Sequence, residues 1–98
     1  MTILLEQHLP VPPELVQAVA VEMNVREDPP PGLLMHVATE VEGGVRVVDV
    51  WNSQAEWEDF QANRLGPAIG KVSAAHGVEP AGPPTITITE VFEVIAGR

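Results

Sequence analysis

The sequence predicts an α+β domain in which an antiparallel sheet of four strands carries its helices on one face. Two observations support this fold class. Extended apolar segments and helical segments follow one another in the order β-α-β-β-α-β. Glycine and proline clusters separate these segments, as expected for the loops of a compact domain. With 98 residues the chain has room for one domain, which we place at residues 1–98.

The first half of the chain predicts a strand, a helix and a second strand. Residues 2–9 form an apolar run, and the prolines that follow suit the first turn of a helix, where no backbone N–H donor is needed. The helix is predicted over residues 13–24 because apolar side chains recur at helical spacing, at Val16, Val19, Ala20 and Met23. Three consecutive prolines stiffen the connector over residues 27–32, and residues 33–40 predict the second strand.

The second half predicts a hairpin, a helix and a last strand. Residues 42–44, Glu-Gly-Gly, are a tight-turn signal ahead of a valine-rich strand over residues 45–51. Ser53 and the glutamate three residues later have capping-box spacing, so they start a helix. The Gly-Pro pair at residues 66–67 is expected to kink or break that helix. Residues 85–95 alternate threonine with β-branched residues, which is typical of a strand.

This order of elements is that of the split βαβ unit, the ferredoxin-like topology, in which both helices pack on one face of the sheet. Strand alternation assigns an apolar set to that helix-side face: Ile3, Leu5, Leu33, Met35, Val37, Val48, Val50, Ile86, Ile88, Phe92 and Val94. The non-helix face is then mixed: Leu4, Glu6, His8, Leu34, His36, Ala38, Val47, Asp49, Trp51, Thr87, Thr89, Val91 and Glu93. A mixed face of this kind is too apolar to stay in water, so we expect a homodimer formed through it.

The predicted hairpin brings a histidine close to a carboxylate. A two-residue turn places His36 opposite Asp49 if the loop is Glu42-Gly43, or opposite Trp51 if the loop is one residue further along. Either register makes His36, Asp49 and Trp51 neighbours on one face. A three-residue loop would reverse the parity and separate them.

The chain resembles the dimeric α/β-barrel superfamily, which includes small antibiotic-biosynthesis-type monooxygenases. The resemblance lies in the hairpin of residues 33–38 and 47–51, and in the following helix with Phe60 and the Leu-Gly-Pro of residues 65–67. It implies two sheets paired into a dimeric barrel. Relatives of this fold include cofactor-free oxygenases, haem-degrading enzymes, polyketide cyclases and lactone isomerases. Trp51 matches a tryptophan that the monooxygenase branch places at the end of the third strand.

The chain departs from the monooxygenase branch in one respect. Such enzymes tend to carry a polar Asn or Tyr near the site, but this chain has no tyrosine. Asn52 is close in sequence to Trp51 and is expected to point toward the helices. The oxygenase reaction therefore stays one of several that the resemblance implies.

His36 and Asp49 are the predicted catalytic pair. A carboxylate beside an imidazole fixes its tautomer and raises its basicity, which suits abstraction of a proton from an acidic carbon or a phenol. Trp51 is predicted to stack on a flat substrate, and three side chains assigned to the same face complete the predicted substrate-binding set: His8, Thr87 and Thr89. The structural alternative is a polar pair that satisfies itself inside the dimer.

Composition excludes several classes of function. The formal net charge of −9 repels phosphate backbones and anionic lipids, so neither a nucleic acid nor a membrane is an expected partner. The chain has no cysteine, which excludes thiol nucleophiles, disulfides and thiolate metal sites. The sequence contains no known metal signature, and we predict neither a metal nor a cofactor.

Two further features concern a helix end and the N-terminus. His76 prolongs an apolar helical stripe at a helix end, where it is either a structural cap or an axial haem ligand. Residues 1–10 lack the basic region of a signal peptide, and no apolar run reaches the about 20 residues that span a bilayer. The expected location is the cytoplasm.

Two functional hypotheses follow from the sequence. The first is a homodimeric small-molecule protein that carries out cofactor-independent proton transfer on an aromatic or polyketide-like substrate, either oxygenation or cyclisation and isomerisation. The second is a non-catalytic binding or assembly module in which the polar pair only specifies the dimer register. An open apolar pocket that reaches His36 would favour the enzyme, and a closed interface around it would favour the module.

Overall fold

The computed structural model describes residues 1–79 and 85–97. The prolines and glycines of residues 77–84 predict a loop, and most of it, residues 80–84, lies outside the described residues. A four-stranded sheet in the order β2-β3-β1-β4 is antiparallel at every pairing, which confirms the predicted fold class. The elements in chain order are β1 (Ile3–Leu9), α1 (Pro13–Met23), β2 (Leu33–Val41), β3 (Gly44–Trp51), α2 (Gln54–Phe60), α3 (Gly66–Ala75) and β4 (Thr85–Glu90).

The hairpin takes the first of its two predicted registers. Val41 pairs with Gly44 across the loop Glu42-Gly43, and further along the ladder His36 pairs with Asp49. In a hairpin the length of the loop determines the pairs that follow up to the first bulge, so this turn fixes which residue lies opposite His36.

The face on which this pair lies differs from the prediction. Leu5 pairs with Asp49 and Ile3 pairs with Trp51, and residues paired across a ladder share a face. His36, Asp49 and Trp51 therefore lie on the helix-side face, and their assignment to the non-helix face was wrong. β3 carries valines on both faces, so its alternation alone cannot choose between them, and the register with β1 decides.

The same correction applies to four residues that the sequence placed under the helices. Val37, Val48, Val50 and Met35 lie on the non-helix face. Leu33 stays on the helix-side face because a β-bulge adds Leu34 to the edge strand: Leu33 pairs with Trp51, while Met35 pairs with Val50.

The core lies between the sheet and the second helical stretch. Ile3, Leu5, Trp51 and Trp57 form one buried cluster, and Phe60 packs against it with its ring centroid 5.3 Å from that of Trp51. Burying two tryptophans supplies much of the apolar area that so small a domain can remove from water.

The predicted disturbance at Gly66-Pro67 takes the form of a π-helical segment, Gln61–Leu65, between α2 and α3. The Gly66 N–H donates to the carbonyl of Gln61, five residues back. Pro67 has no N–H to donate, and the wider turn lets the helical stretch continue without a break.

The last strand is shorter than predicted. β4 ends at Glu90, which pairs with Ile3, the first residue of β1. The Val91 N–H donates to the carbonyl of Thr2, and β1 offers nothing further to pair with. Residues 91–97, the C-terminal tail, therefore extend past the end of the sheet, and Phe92 is 99% exposed.

A substitution at the hairpin should test the local packing that fixes its register. Gly44 has a φ of +149°, and a Cβ there would collide with the backbone carbonyl of Leu9. We expect Gly44→Ala to lower the free energy of unfolding by at least about 2 kcal/mol. Gly70→Ala is the matched control, because a helical Cβ at Gly70 meets open space and should stabilise by up to about 1 kcal/mol. Urea denaturation measures both, and equal effects would contradict the packing.

Candidate functional site

The site is built around a buried carboxylate with two different donors. The Oδ1 atom of Asp49 lies 2.6 Å from Nδ1 of His36, and its Oδ2 atom accepts from Nε1 of Trp51 at 3.2 Å. The side chain of Asp49 is only 8% exposed. Because an ionised carboxylate accepts and an indole N–H only donates, the arrangement suits a charged Asp49 with a proton on Nδ1 of His36.

In His36, Nδ1 is bonded to Asp49 and Nε2 is left for another partner. Its hydrogen bond to Asp49 raises the pKa of the imidazole above 6.5, the negative charge of Asp49 also raises it, and partial burial opposes both effects. The side chain of His36 is 46% exposed. With Nδ1 turned to Asp49, Nε2 is the nitrogen left to exchange a proton with a ligand.

The openness of His36 follows from its position in the sheet. β2 is an edge strand, and the helices pack mainly over β3 within the described residues, leaving the helix side of β2 largely uncovered. Asp49 lies on the neighbouring inner strand and is buried there. The pair thus spans the boundary between the core and solvent.

Trp51 occupies a different environment from the predicted substrate platform. It is fully buried, and its ring packs against Phe60 at an interplanar angle of 42°. This packing leaves no ring face for a flat ligand. Its indole N–H instead holds the second oxygen of Asp49, so Trp51 positions the carboxylate.

The remaining predicted substrate-binding residues lie on the other side of the sheet. His8 pairs with Thr85, Glu6 with Thr87 and Leu4 with Thr89, all on the non-helix face. His8, Thr87 and Thr89 are therefore not brought together with His36. On the same face, Glu6 forms an ion pair of 2.6 Å with Arg46.

One buried polar residue, Gln7, was not among the site residues predicted from the sequence. Gln7 is 8% exposed and lies on the helix-side face, two positions along β1 from Leu5, the residue opposite Asp49. Its signal was available in the alternation of β1, where Ile3, Leu5 and Gln7 share a face. Its amide adds a polar group to the same face as the pair, within the diagonal reach of long side chains.

His76 is found at the C-cap of α3, with Nδ1 3.0 Å from the carbonyl oxygen of Val72. This contact is the one expected of a structural cap. Across residues 1–79 and 85–97, no three His, Asp or Glu side chains are grouped so as to hold a metal ion.

A shallow cavity of about 200 Å³ lies beside the second helical stretch. Its walls are Pro30, Pro31, Ala55, Glu56, Asp59, Phe60 and Arg64. Arg64 closes one side by donating to the carbonyls of Met23 at 2.7 Å and Asp28 at 2.9 Å. His36 is not part of this wall, although Phe60 links the cavity to Trp51.

No protein-family model matches the sequence, and no curated protein matches it at a significant level. Solved structures do match. A protein from Caulobacter crescentus CB15, provisionally assigned as an antibiotic biosynthesis monooxygenase, has a TM-score of 0.63 and 22% identity, over 94% of this chain and 91% of its own. SnoaB from Streptomyces nogalater, a cofactor-independent oxygenase, has a TM-score of 0.57 and 12% identity, over 98% and 96% of the two chains.

This chain has the fold of the antibiotic-biosynthesis-monooxygenase-like proteins. A third matching structure contains a bound ligand. It is an MhuD mutant with two manganese protoporphyrin IX bound per active site, and it has a TM-score of 0.61 and 23% identity, over 99% of this chain and 100% of its own. The monooxygenase-like fold predicted from the hairpin and the following helix is thereby confirmed. No helix within the described residues has both the length and the apolar character needed to cross a membrane.

The titration of His36 tests the role of Asp49. Asp49→Asn should lower the pKa of His36, because the charged acceptor is lost while the opposing burial remains. NMR of the His36 ring protons across a pH series measures this shift. Glu6→Gln is the control, since Glu6 lies on the non-helix face and should leave the titration unchanged. An unaltered His36 pKa in Asp49→Asn would contradict the arrangement.

The same pair predicts a pH dependence of stability. Because the folded-state pKa of His36 is raised, the stabilisation is fully present below the unfolded pKa of about 6.5 and is lost as the pH rises through the folded pKa. Relative to His36→Gln, the wild type should lose at most about 1 kcal/mol across this window, since His36 is half-exposed. Urea denaturation at several pH values measures the difference, and a wild-type advantage that grows with pH would refute the prediction.

Proposed function

We propose that this chain is a homodimeric small-molecule-binding protein in which His36 acts as a general base on an aromatic or polyketide-like substrate. The reaction is cofactor-independent, and is either oxygenation or cyclisation and isomerisation. The observation that carries the proposal is the Asp49 carboxylate, buried and held by Trp51, with its second oxygen on Nδ1 of a half-exposed His36.

The proposed chemistry is a single proton transfer. Neutral His36 takes a proton at Nε2 from a phenol or from a carbon next to a carbonyl, which leaves a phenolate or an enolate. Asp49 stabilises the resulting imidazolium through the bond to Nδ1, and Trp51 keeps the carboxylate oriented. Positioned general bases of this kind contribute roughly 10²–10⁴-fold to a rate.

The solved structures support this class of reaction by analogy. SnoaB is described as a cofactor-independent oxygenase, and the Caulobacter crescentus protein is provisionally assigned as an antibiotic biosynthesis monooxygenase. A substrate whose anion reacts directly with oxygen, or closes a ring on itself, needs from the protein only a base and a shaped site. The Asp49-backed imidazole supplies that base.

The homodimer is proposed through the non-helix face. This face carries Leu4, Met35, Val37 and Val48, and Met35 and Val37 are 50% and 41% exposed. A second copy placed over it would remove these side chains from water. The pair that was predicted to lie within this interface is on the opposite side of the sheet, so the proposed dimer leaves His36 open to a ligand.

The second candidate function is a non-catalytic binding or assembly module. It is favoured by the burial of Trp51, which leaves no stacking surface, and by the position of the cavity beside Phe60, whose wall does not include His36. In this case the pair would serve to hold the edge strand β2 to β3.

Ligand titration separates the two candidates. We expect the His36 ring signals of the wild-type protein to shift with hydroxynaphthalenes or hydroxyanthracenes, and oxygen uptake or substrate isomerisation to fall roughly 10²-fold or more in His36→Gln. His76→Gln is the matched control, because His76 lies at the C-cap of α3, where its ring contacts the Val72 carbonyl, and the variant should retain full activity. Light scattering establishes the oligomeric state first.

Two outcomes would exclude the enzyme. One is a His36 signal that ignores every ligand of the panel. The other is turnover that survives in His36→Gln, which would place the chemistry elsewhere in the molecule.

A further inference from the structure

Gln7 carries a buried side-chain amide that is not satisfied by the described part of the chain. The residue is 8% exposed, and its side chain forms no hydrogen bond within residues 1–79 and 85–97. Each described polar side-chain atom that is fully sealed from solvent does have a partner, so the amide of Gln7 keeps a narrow opening. Burying an amide without a partner costs free energy, and a ligand bonded to it through this opening would offset that cost.

The register of the sheet places Gln7 beside the His36 site. Gln7 pairs with Val47, and Val47 pairs with Ala38 on the edge strand β2. This row of three lies two positions along the strands from His36 and Asp49, and on the same face. Ala38 is exposed while Val47 and Gln7 are buried, so the row leads from solvent at the β2 edge to the amide. Ala38 has only a methyl group and takes up little of the space at this entrance.

Asp49 already has partners for both of its oxygens. One oxygen lies 2.6 Å from Nδ1 of His36, and the other accepts from Nε1 of Trp51 at 3.2 Å. The carboxylate is therefore occupied in holding the imidazole. The groups of this cluster that are left for a ligand are Nε2 of His36 and the amide of Gln7.

These two groups are too far apart to hold the same atom. Two strand spacings of about 4.8 Å and two residues of about 3.4 Å separate His36 from Gln7, which gives a Cα–Cα distance of roughly 12 Å. Side chains stand roughly perpendicular to a sheet, so the ends of the two side chains stay separated. A ligand that touches both groups therefore has to present a polar atom at each end, with a ring between them.

Proton transfer to His36 gives the second group a chemical role. When Nε2 takes the proton of a phenol, the O–H bond breaks and its electron pair stays on the substrate. If a ketone is conjugated with the phenol through the ring, that charge moves to the ketone oxygen at the far end. An amide N–H that donates to this oxygen binds it more strongly as the charge develops, because hydrogen bonds to charged acceptors are the stronger ones.

We propose that Gln7 binds the ketone oxygen of a substrate whose phenol proton is taken by His36. The substrate is then a hydroxyaryl ketone, with the phenol and the conjugated ketone at opposite ends of the ring system. This inference rests on the proposed function, and adds to it a second substrate contact and a narrower class of substrate.

A matched pair of ligands tests the role of Gln7. The first, para-hydroxyacetophenone, has the conjugated ketone, and the second, para-ethylphenol, has the same ring and phenol without it. We expect Gln7→Leu to bind para-hydroxyacetophenone about tenfold more weakly than the wild type, because one hydrogen bond to a developing charge is lost. The same variant should bind para-ethylphenol as the wild type does. Gln17→Leu, at an exposed position of α1, is the matched control and should change neither affinity.

The wild-type protein gives a second readout that does not depend on the folding of a variant. The side-chain amide signals of Gln7 in nitrogen–proton correlation NMR should shift with para-hydroxyacetophenone and stay in place with para-ethylphenol. The ring signals of His36 should shift with both ligands, because both carry the phenol. Gln7 signals that move equally with both ligands, or with neither, would overturn the ketone contact.

These measurements separate this inference from the proposed function. Equal affinity of Gln7→Leu and the wild type for para-hydroxyacetophenone, with His36 still responding, overturns the role of Gln7 and leaves the base standing. A Gln7 signal that responds to the ketone while His36 ignores both ligands overturns the base and leaves Gln7 as a ligand-binding residue. Silence of both residues overturns both proposals.

Discussion

A buried carboxylate must have a partner for each oxygen, and in this molecule that requirement fixes the site. Asp49 is removed from water on the inner strand β3, where an unpaired charge would cost several kcal/mol, in the range of about 3–5 kcal/mol measured when one partner of a buried pair is removed. Its two donors come from different sources: the indole of Trp51 from the same strand, and the imidazole of His36 from the edge strand. The core packing of Trp51 and the hairpin register both have to be correct for the carboxylate to be satisfied.

The monooxygenase-like fold explains why such a pair has a place to act. Ile3, Leu5 and Trp57 bury the tryptophan that donates to the carboxylate, while the edge position of β2 leaves the imidazole partly exposed. A base is useful only if it is anchored on one nitrogen and reachable on the other. The arrangement meets both conditions with one residue from each strand of a hairpin.

The parts of the structure that depend on local sequence were predictable, and the parts that depend on distant pairing were not. The turn at residues 42–44 limited the partner of His36 to Asp49 or Trp51 for a two-residue loop, and the structure selects Asp49. The face on which the pair lies depends on the pairing with β1, and Leu5 and Asp49 are more than 40 positions apart in the sequence. Because β3 has valines on both faces, its alternation could not show that the pair had been assigned to the wrong face. Nothing in the run Leu33-Leu34-Met35 marks which leucine forms the bulge. The end of β4 was likewise set by the end of β1, which alternation within β4 cannot reveal.

The tautomer of His36 tests most directly whether Asp49 holds His36 in position to act as a base. Long-range nitrogen–proton correlation NMR on the imidazole ring, recorded above the pKa of His36, shows which nitrogen keeps its proton. We predict a proton on Nδ1, held by Asp49, and an unprotonated Nε2 free to act as a base. A neutral ring protonated on Nε2 would mean that Asp49 does not accept from His36, and would contradict both the geometry of the site and the proposed role of His36.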